Sequence, residues 1–134
     1  MKKIITGITM GEPASISSEI TLKVWKNYRK KISPFIFFGD PEHLLKTSRL
    51  LKINVPIKII RKVTECGKVF NNFLPVYEIK LNEEVKFGLP SRKNINKTIS
   101  SIDHVVNFAK KKIISCIVTN PVEKNIIKKK RKKI

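Results

Sequence analysis

One stretch near the start of the chain decides the fold: residues 4–19 read IITGITMGEPASISSE. Its first half is apolar and rich in β-branched residues, which predicts a buried strand that stops at Gly11. Pro13 and the small polar residues after it predict a tight turn, and a helical pattern begins near Ser18. A strand, a turn and a helix in this order are typical of an α/β domain. The turn is also a place where a ligand could bind, because a helix start presents unpaired N–H groups and the positive end of the helix dipole.

Strands and helices alternate along the rest of the chain. The apolar spacing predicts further strands at residues 35–38, 55–60, 75–81 and 113–119, and helices at 18–30, from Asp40 onward, at 94–112 and starting within 122–130. Residues 61–75 show no period and are predicted to form a loop. The order predicts a three-layer α/β/α domain with a mainly parallel sheet at residues 1–124, followed by a basic tail at residues 125–134.

The sequence also predicts which side of each element is buried. The first helix is predicted to place an apolar face against the sheet, with Ser17 or Ser18 as its cap; the apolar residues are Ile20, Val24 and Tyr28 at helical spacing, with Leu22 and Trp25 nearby. Residues 75–81 alternate between apolar and polar, as in a half-exposed strand, whereas residues 113–119 read as a buried one. Pro56 predicts that the strand at residues 55–60 lies at a sheet edge. The second helix is predicted to begin with Asp40 as N-cap and Pro41 as first residue, and its apolar side consists of Leu44, Leu45, Leu50 and Leu51.

The composition is that of one globular domain with a large positive charge. The chain has 134 residues, of which 41% are hydrophobic, and no apolar run is long enough to cross a membrane. Cys66 and Cys116 lack CxxC spacing, which favours neither a metal site nor a disulfide framework and is typical of the cytoplasm. The net charge is +19, but it comes mostly from lysine in a chain also rich in Ile and Asn, as AT-rich codons would produce. A nucleic-acid surface would more often use arginine, so a nucleic-acid partner is the less favoured explanation.

Most known catalytic constellations are absent from the sequence. The five glycines are too scattered for a phosphate-binding loop or a GxGxxG motif. His43 and His104 each stand alone in a predicted helix, which favours surface or half-buried helix residues over ligands or bases.

Two loops at the carboxyl ends of predicted strands remain, and ligands bind at such ends in open α/β sheets. An ordinary strand-to-helix connection needs the same turn residues, so the spacing alone does not decide between the two interpretations. No residue is assigned a catalytic, metal-binding or cofactor-binding role. The candidate residues for the substrate side of a site are Thr9, Gly11, Glu12, Pro13, Thr119, Asn120, Pro121 and Lys124.

Three motifs in order resemble one enzyme family. They are TMGEPASISSE at residues 9–19, FIFFGDPEHLL at residues 35–45 and VTNPVEK at residues 118–124. The first resembles a TxGDPAGIGPE loop and the last a VTxPxxK motif of the 4-hydroxythreonine-4-phosphate dehydrogenase family of pyridoxal phosphate biosynthesis. The resemblance covers nearly the whole chain and corresponds to the N-terminal part of a family member.

The resemblance implies a fold, an activity and partners. The implied fold is the N-terminal part of that of isocitrate and isopropylmalate dehydrogenases, in a dimer with active sites between subunits. The implied activity is the oxidation of 4-phosphohydroxy-L-threonine by NAD, in which a divalent metal polarises the reacting oxygen and the product then loses carbon dioxide. The implied partners are therefore a phosphorylated small molecule and a second subunit, in the cytoplasm, with neither nucleic acid nor membrane.

Two departures from the family pattern change the expectation. Ser15, Ser17 and Ser18 replace the family's glycine, glycine and proline, and serine would be strained where a loop needs a positive φ. After Lys124 the family's GHTE segment does not follow, and its metal-binding histidines and phosphate-binding basic residues lie beyond that point. We therefore expect a truncated or frameshifted family member that is inactive alone, binds neither NAD nor metal, and is poorly soluble or oligomeric. Two alternatives stay open: a folded, non-catalytic remnant that acts as a binding or dimerisation module, and a small basic nucleic-acid-binding protein.

Overall fold

In the computed structural model, which describes residues 4–124, five strands alternate with helices. The strands are β1 (Thr6–Thr9), β2 (Phe35–Gly39), β3 (Ile57–Ile59), β4 (Leu74–Glu78) and β5 (Cys116–Val118). The helices are α1 (Ser17–Tyr28), α2 (Pro41–Leu50), α3 (Cys66–Val69) and α4 (Ile95–Lys110), with 3-10 turns at Val63–Glu65 and Arg92–Asn94. The predicted α/β class is confirmed. The predicted basic tail and most of the helix predicted within residues 122–130 lie outside the described residues.

The five strands form one parallel sheet in the order β3-β4-β2-β1-β5. Strand β1 lies between β2 and β5, and its Thr6 is paired with Phe35 on one side and Cys116 on the other. Because all strands run the same way, their carboxyl ends lie at one edge of the sheet. The loops that follow β1 and β5 are therefore neighbours, although more than a hundred residues separate them in sequence.

Strand β2 shows why helices cover both faces of the sheet. Its side chains at residues 35–38 are all buried, and successive side chains of a strand point to opposite faces. Two hydrophobic clusters result, and they confirm the predicted three layers. Phe35 and Phe37 belong to one cluster with Leu22 and Trp25 of α1 and Leu44 of α2, and Ile36 and Phe38 to the other with Val105 of α4.

The buried face of α1 agrees with the prediction only in part. Ile20 and Tyr28 are 38% and 52% exposed, whereas Trp25 is buried and its Nε1–H donates to the Phe70 carbonyl over 2.9 Å. The small side chains in the first turn of the helix lie against the loops at the sheet edge, which turns Ile20 outward. Neither Ser17 nor Ser18 caps the helix, because the helix begins at Ser17 itself and no side chain caps it.

The start of α2 agrees with the prediction, but its end does not. Asp40 is the N-cap, and its Oδ1 accepts from the Glu42 N–H over 2.8 Å and the His43 N–H over 3.4 Å. Leu44 is buried, but Leu50 and Leu51 are 63% and 39% exposed, so the last turn does not contribute to the core as predicted.

Three other predictions require correction, the first because of element length and the other two because of sheet position. Residues 61–75 contain the Val63–Glu65 turn and α3, which the lack of a period concealed because both are very short. Strand β4 begins fully buried rather than half exposed, because it lies between β2 and β3. Strand β5 is exposed rather than buried, because it is the last strand of the sheet.

The prediction that Pro56 precedes an edge strand is confirmed by the position of β3. Among the described residues, no helix is long and apolar enough to cross a membrane.

Candidate functional site

The two candidate loops are in direct contact at the carboxyl edge of the sheet. The first loop comprises residues 10–16, between β1 and α1, and the second comprises residues 119–124, after β5. The Glu12 N–H donates to the Pro121 carbonyl over 2.8 Å, and the Ser17 hydroxyl donates to the same carbonyl over 3.3 Å. The sheet order thus brings together the two motifs that the sequence singled out separately.

Asn120 joins the two strand ends beneath these loops. It is 7% exposed, and its Nδ2 donates to the Thr9 carbonyl over 2.9 Å and to the Thr21 hydroxyl over 3.1 Å. Its backbone N–H donates to the Thr9 hydroxyl over 3.1 Å. Thr9 is fully buried, and both its hydroxyl and its carbonyl accept hydrogen bonds from Asn120. This pair therefore sets the geometry of the loops and does not face a ligand.

Gly11 is required at the point where the loops meet. Its φ is +66°, a conformation that side chains disfavour, and a Cβ placed there would lie 2.6 Å from the Pro121 carbonyl oxygen. Gly88 also has a positive φ, of +82°, but a Cβ there would meet nothing within 4 Å. Gly11 is thus constrained by contact as well as by conformation.

Glu12 is a nearly buried acid in the first loop. It is 8% exposed, and its Oε1 accepts from the Ala14 N–H over 3.0 Å. Burial raises the pKa of its carboxyl group; the Ala14 N–H opposes this rise and the nearby Glu123 carboxylate adds to it. Glu12 is therefore more easily protonated than a carboxyl group in water.

A cleft of about 380 Å³ opens where the loops face residues 88–90. Glu12 and Glu123 are its charged side chains, and no basic side chain among residues 4–124 lines it. Two carboxylates without a cation do not bind a phosphate group, which needs positive charge or converging N–H donors. Among the described residues, no group of three His, Cys, Asp or Glu side chains is placed to hold a metal ion. The remaining residues that line the cleft are Ala14, Ser15, Gly88, Pro90, Pro121 and Val122.

His43 holds the first loop from the side of α2, a role that its sequence context did not reveal. It is 8% exposed rather than a surface residue, and its Nε2 lies 2.9 Å from the Pro13 carbonyl. A carbonyl only accepts, so Nε2 carries the proton. The pKa of the imidazole is lowered, chiefly by burial and also by the charge of Lys46. The bond to the Pro13 carbonyl and the Asp40 carboxylate oppose this change. Gly88 binds the same loop, because its N–H donates to the Ala14 carbonyl over 2.8 Å.

The three serines do not strain the first loop. Within the described residues, Lys52 and Lys112 are the only non-glycine residues with a positive φ. The Ser15 hydroxyl donates to the Glu12 carbonyl over 2.9 Å, and Ser17 bonds to Pro121 as described above. Ser18 is fully buried, and its hydroxyl has no hydrogen-bond partner. The cost of the substitutions therefore lies in one orphaned hydroxyl and not in the backbone.

The eight candidate residues divide into a buried and an exposed group. The buried members are Thr9, Gly11, Glu12, Pro13 and Asn120. Thr119, Pro121 and Lys124 are exposed. Only Glu12 and Pro121 of the eight line the cleft.

Comparison with known proteins decides the family of this chain. The family model "Pyridoxal phosphate biosynthetic protein PdxA" matches residues 30–134. The chain belongs to the PdxA family. It is 31% identical over 123 residues to the 4-hydroxythreonine-4-phosphate dehydrogenase of Methylorubrum extorquens, a match that covers 90% of this chain and 35% of that protein. It is 33% identical over 129 residues to the same-named enzyme of Aquifex aeolicus, covering 96% of this chain and 38% of that protein.

Solved structures show the same fold. A 4-hydroxythreonine-4-phosphate dehydrogenase from Burkholderia phymatum is 20% identical and has a TM-score of 0.83, with 95% of this chain and 39% of that chain covered. The corresponding structure from Klebsiella pneumoniae has a TM-score of 0.81 at 20% identity, over 94% of this chain and 39% of that chain. The predicted family and fold are confirmed. The chain spans little more than a third of the length of these relatives.

Proposed function

We propose that this chain supplies the substrate-side loops of a 4-hydroxythreonine-4-phosphate dehydrogenase and does not complete the enzyme alone. The observation that carries the proposal is the contact between the first and second loops, made through Glu12 and Pro121. The two loops carry the motifs that resemble the family, and they enclose the cleft that contains Glu12 and Glu123. The expected chemistry is the NAD-dependent oxidation of a phosphorylated hydroxy amino acid in a homo-oligomeric enzyme of the cytoplasm.

The residues described here do not fit two of the groups that this reaction needs. Within residues 4–124, the cleft has no basic side chain for the substrate phosphate, and no cluster of three ligating side chains is present. NAD and a divalent metal therefore belong to the proposed enzyme by family, and we assign neither of them to a residue of this chain. Glu12 and Glu123 remain as groups that could move or hold a proton in the cleft.

A chimera tests the proposal. Residues 1–124 of this chain replace the matching part of the Methylorubrum extorquens enzyme, and NADH formation from 4-phosphohydroxy-L-threonine is followed with NAD and a divalent metal. We expect turnover by the chimera and by the unaltered relative, and none by this chain alone. A folded chimera without turnover would refute the role of the loops, and turnover by the chain alone would refute its incompleteness.

Two glycines provide a matched pair of variants in that chimera. Gly11→Ala and Gly88→Ala both place a side chain at a positive φ, but only the first places a Cβ 2.6 Å from the Pro121 oxygen. We expect Gly11→Ala to lose activity and Gly88→Ala to retain most of it. Equal activity of the two variants would show that the contact between the loops does not matter for the reaction.

The nucleic-acid alternative predicts sequence-dependent DNA binding at physiological salt. Fluorescence anisotropy with a labelled DNA duplex tests this prediction. A chain of net charge +19 binds DNA at low salt through phosphate contacts alone, with an affinity that falls steeply as salt is raised. We expect no binding to remain at physiological salt. Sequence-dependent binding at that salt would favour the alternative over the enzyme.

A further inference from the structure

Residues 82–94 form a loop whose two ends are joined at its base. The joining residue is Asn94, which is 3% exposed. Its Oδ1 accepts from the Asn82 N–H over 2.9 Å and from the Glu83 N–H over 3.1 Å, and its Nδ2 donates to the Glu83 carbonyl over 3.2 Å. The Asn82 side chain donates to the Lys93 carbonyl over 2.7 Å. The base of this loop is therefore fixed by hydrogen bonds that do not involve its tip.

The tip of this loop, residues 84–90, is called the lid below, and it contributes nothing to the hydrophobic core. Val85 is half-buried, and the other six residues of the lid are exposed. None of the seven belongs to either hydrophobic cluster. Local stability is low where few apolar contacts are buried, and such a segment can open while the core stays folded.

Two contacts at its centre hold the lid against the rest of the protein. The Gly88 N–H donates to the Ala14 carbonyl of the first loop over 2.8 Å. The rings of Phe87 and His43 lie 5.6 Å apart between their centroids. Both contacts end on parts of the candidate site, because Ala14 lines the cleft and His43 holds the first loop.

An ion pair between Glu84 and Lys46 also joins the lid to α2. Its side chains are 77% and 50% exposed, and ion pairs that are so exposed contribute little, because water and salt screen them. The position of the lid therefore depends mainly on the ring contact and on one backbone hydrogen bond.

The lid lies between two cavities. Gly88 and Pro90 form part of the wall of the cleft that contains Glu12. On its other side, Phe87 and Gly88 line a groove of about 520 Å³, which α1 and α2 complete with Glu19 and with Thr47, Leu50 and Leu51. Movement of the lid away from the first loop would remove that part of the cleft wall and join the cleft to the groove.

From these observations we propose that residues 84–90 are a hinged lid over the cleft. The hinge lies at the hydrogen bonds of Asn94, and the latch is the contact between Phe87 and His43. With the lid closed, Glu12 is nearly buried; with the lid open, a molecule can enter the cleft and reach it. Lids of enzymes commonly turn on a few residues at the ends of a loop.

The inference concerns access to the cleft and does not depend on turnover. An inactive chimera would refute the proposed function and leave the lid intact. A lid that never opens separately would leave the proposed function intact.

Native-state hydrogen exchange tests whether the lid opens by itself. The full-length chain is followed by NMR over a range of low urea concentrations. We expect the Gly88 amide to exchange through a local opening whose rate hardly changes with urea, since such an opening exposes little surface. We expect the slowest amides of β2 to exchange through global unfolding, at rates that rise steeply with urea. The same urea dependence at Gly88 as in β2 would overturn the proposal, because residues 84–90 would then be a fixed wall.

A matched pair of variants tests the latch. Phe87→Ala removes the ring contact with His43, whereas Leu89→Ala removes a side chain of the same lid that is 67% exposed. We expect Phe87→Ala to raise the exchange rate of the Gly88 amide by about threefold to tenfold, the factor that a contact between rings supplies. We expect Leu89→Ala to leave that rate within about twofold. Equal rates in the two variants would refute the latch, and urea unfolding followed by circular dichroism checks that both fold.

Chemical modification tests whether the lid covers the cleft. A carbodiimide with glycine ethyl ester labels accessible carboxyl groups, and mass spectrometry compares the labelling rate of Glu12 with that of the exposed Glu42. We expect Phe87→Ala to raise the rate at Glu12 by about the factor seen in hydrogen exchange, with no change at Glu42. An unchanged rate at Glu12 beside faster exchange at Gly88 would show that the lid does not control access to the cleft, and would overturn the proposal.

Discussion

Asn120→Ala tests whether the second loop is held to β1 by the asparagine side chain. The substitution removes the two hydrogen bonds from Nδ2, to the Thr9 carbonyl and the Thr21 hydroxyl, at a residue that is 7% exposed. Each buried hydrogen bond contributes about 1 kcal/mol, and a buried carbonyl left without its partner adds to the loss. The free energy of unfolding should therefore fall by about 2–3 kcal/mol.

Urea unfolding followed by circular dichroism measures this loss. With an m-value of about 2 kcal/mol/M, the midpoint should fall by about 1–1.5 M. Asn72→Ala is the matched control, because Asn72 is exposed, and it should change stability by less than about 0.5 kcal/mol. Asn120→Asp keeps the shape but removes both donors, so its loss should be at least as large as that of Asn120→Ala. An Asn120→Ala midpoint equal to that of the unaltered chain would refute the idea that this side chain holds the loops together.

Three further changes test the buried polar groups of the site. Ser18→Ala removes the orphaned hydroxyl and should stabilise the chain by about 1 kcal/mol in thermal unfolding, and a loss of stability would show that the hydroxyl has a partner. Glu12→Gln should stabilise the chain at pH 7, because the pKa of the Glu12 carboxyl group is raised in the folded state. The stability that Glu12 contributes is present below pH 4.5 and is lost as the pH rises through the pKa of the folded state. That gain should shrink as the pH of the unfolding experiment is lowered, and a gain independent of pH would contradict the assignment. The lowered pKa of His43 has the opposite consequence. The stability that His43 contributes is present above pH 6.5 and is lost as the pH falls through the pKa of the folded state. The His43→Gln variant should therefore lose less stability between pH 7.5 and pH 5 than the unaltered chain does.

The elements that the sequence predicted well are those encoded by local spacing. The run at residues 35–38 is apolar on both faces, so it could only be a strand with helices on both sides. Asp40 and Pro41 identified the start of α2, because a cap depends on the residues next to it. The short helix α3 was not predicted, because four residues are too few to show a helical period.

The errors concern burial, which depends on what lies across from an element. Strand β5 is uncharged and apolar, and nothing in its own residues tells an edge strand from a central one. The face of α1 was mistaken because periodicity weighs large apolar residues, whereas here small residues determine how the helix start meets the loops. His43 looked ordinary in sequence because its partner, the Pro13 carbonyl, is thirty residues away and is a backbone atom.

The sequence by itself determined the alternating order of strands and helices, the family, and the two motifs that carry the resemblance. Only the tertiary structure decided that these motifs touch, and that Thr9 and Asn120, 111 residues apart, occupy each other's polar groups. It also decided that Glu12 and Glu123 share a cleft to which no other charged side chain of the described part of the chain contributes. The physical reason is that hydrophobic spacing specifies each element locally, whereas the order of strands in the sheet specifies which strand ends become neighbours. The first loop therefore has its meaning only beside the loop that follows β5.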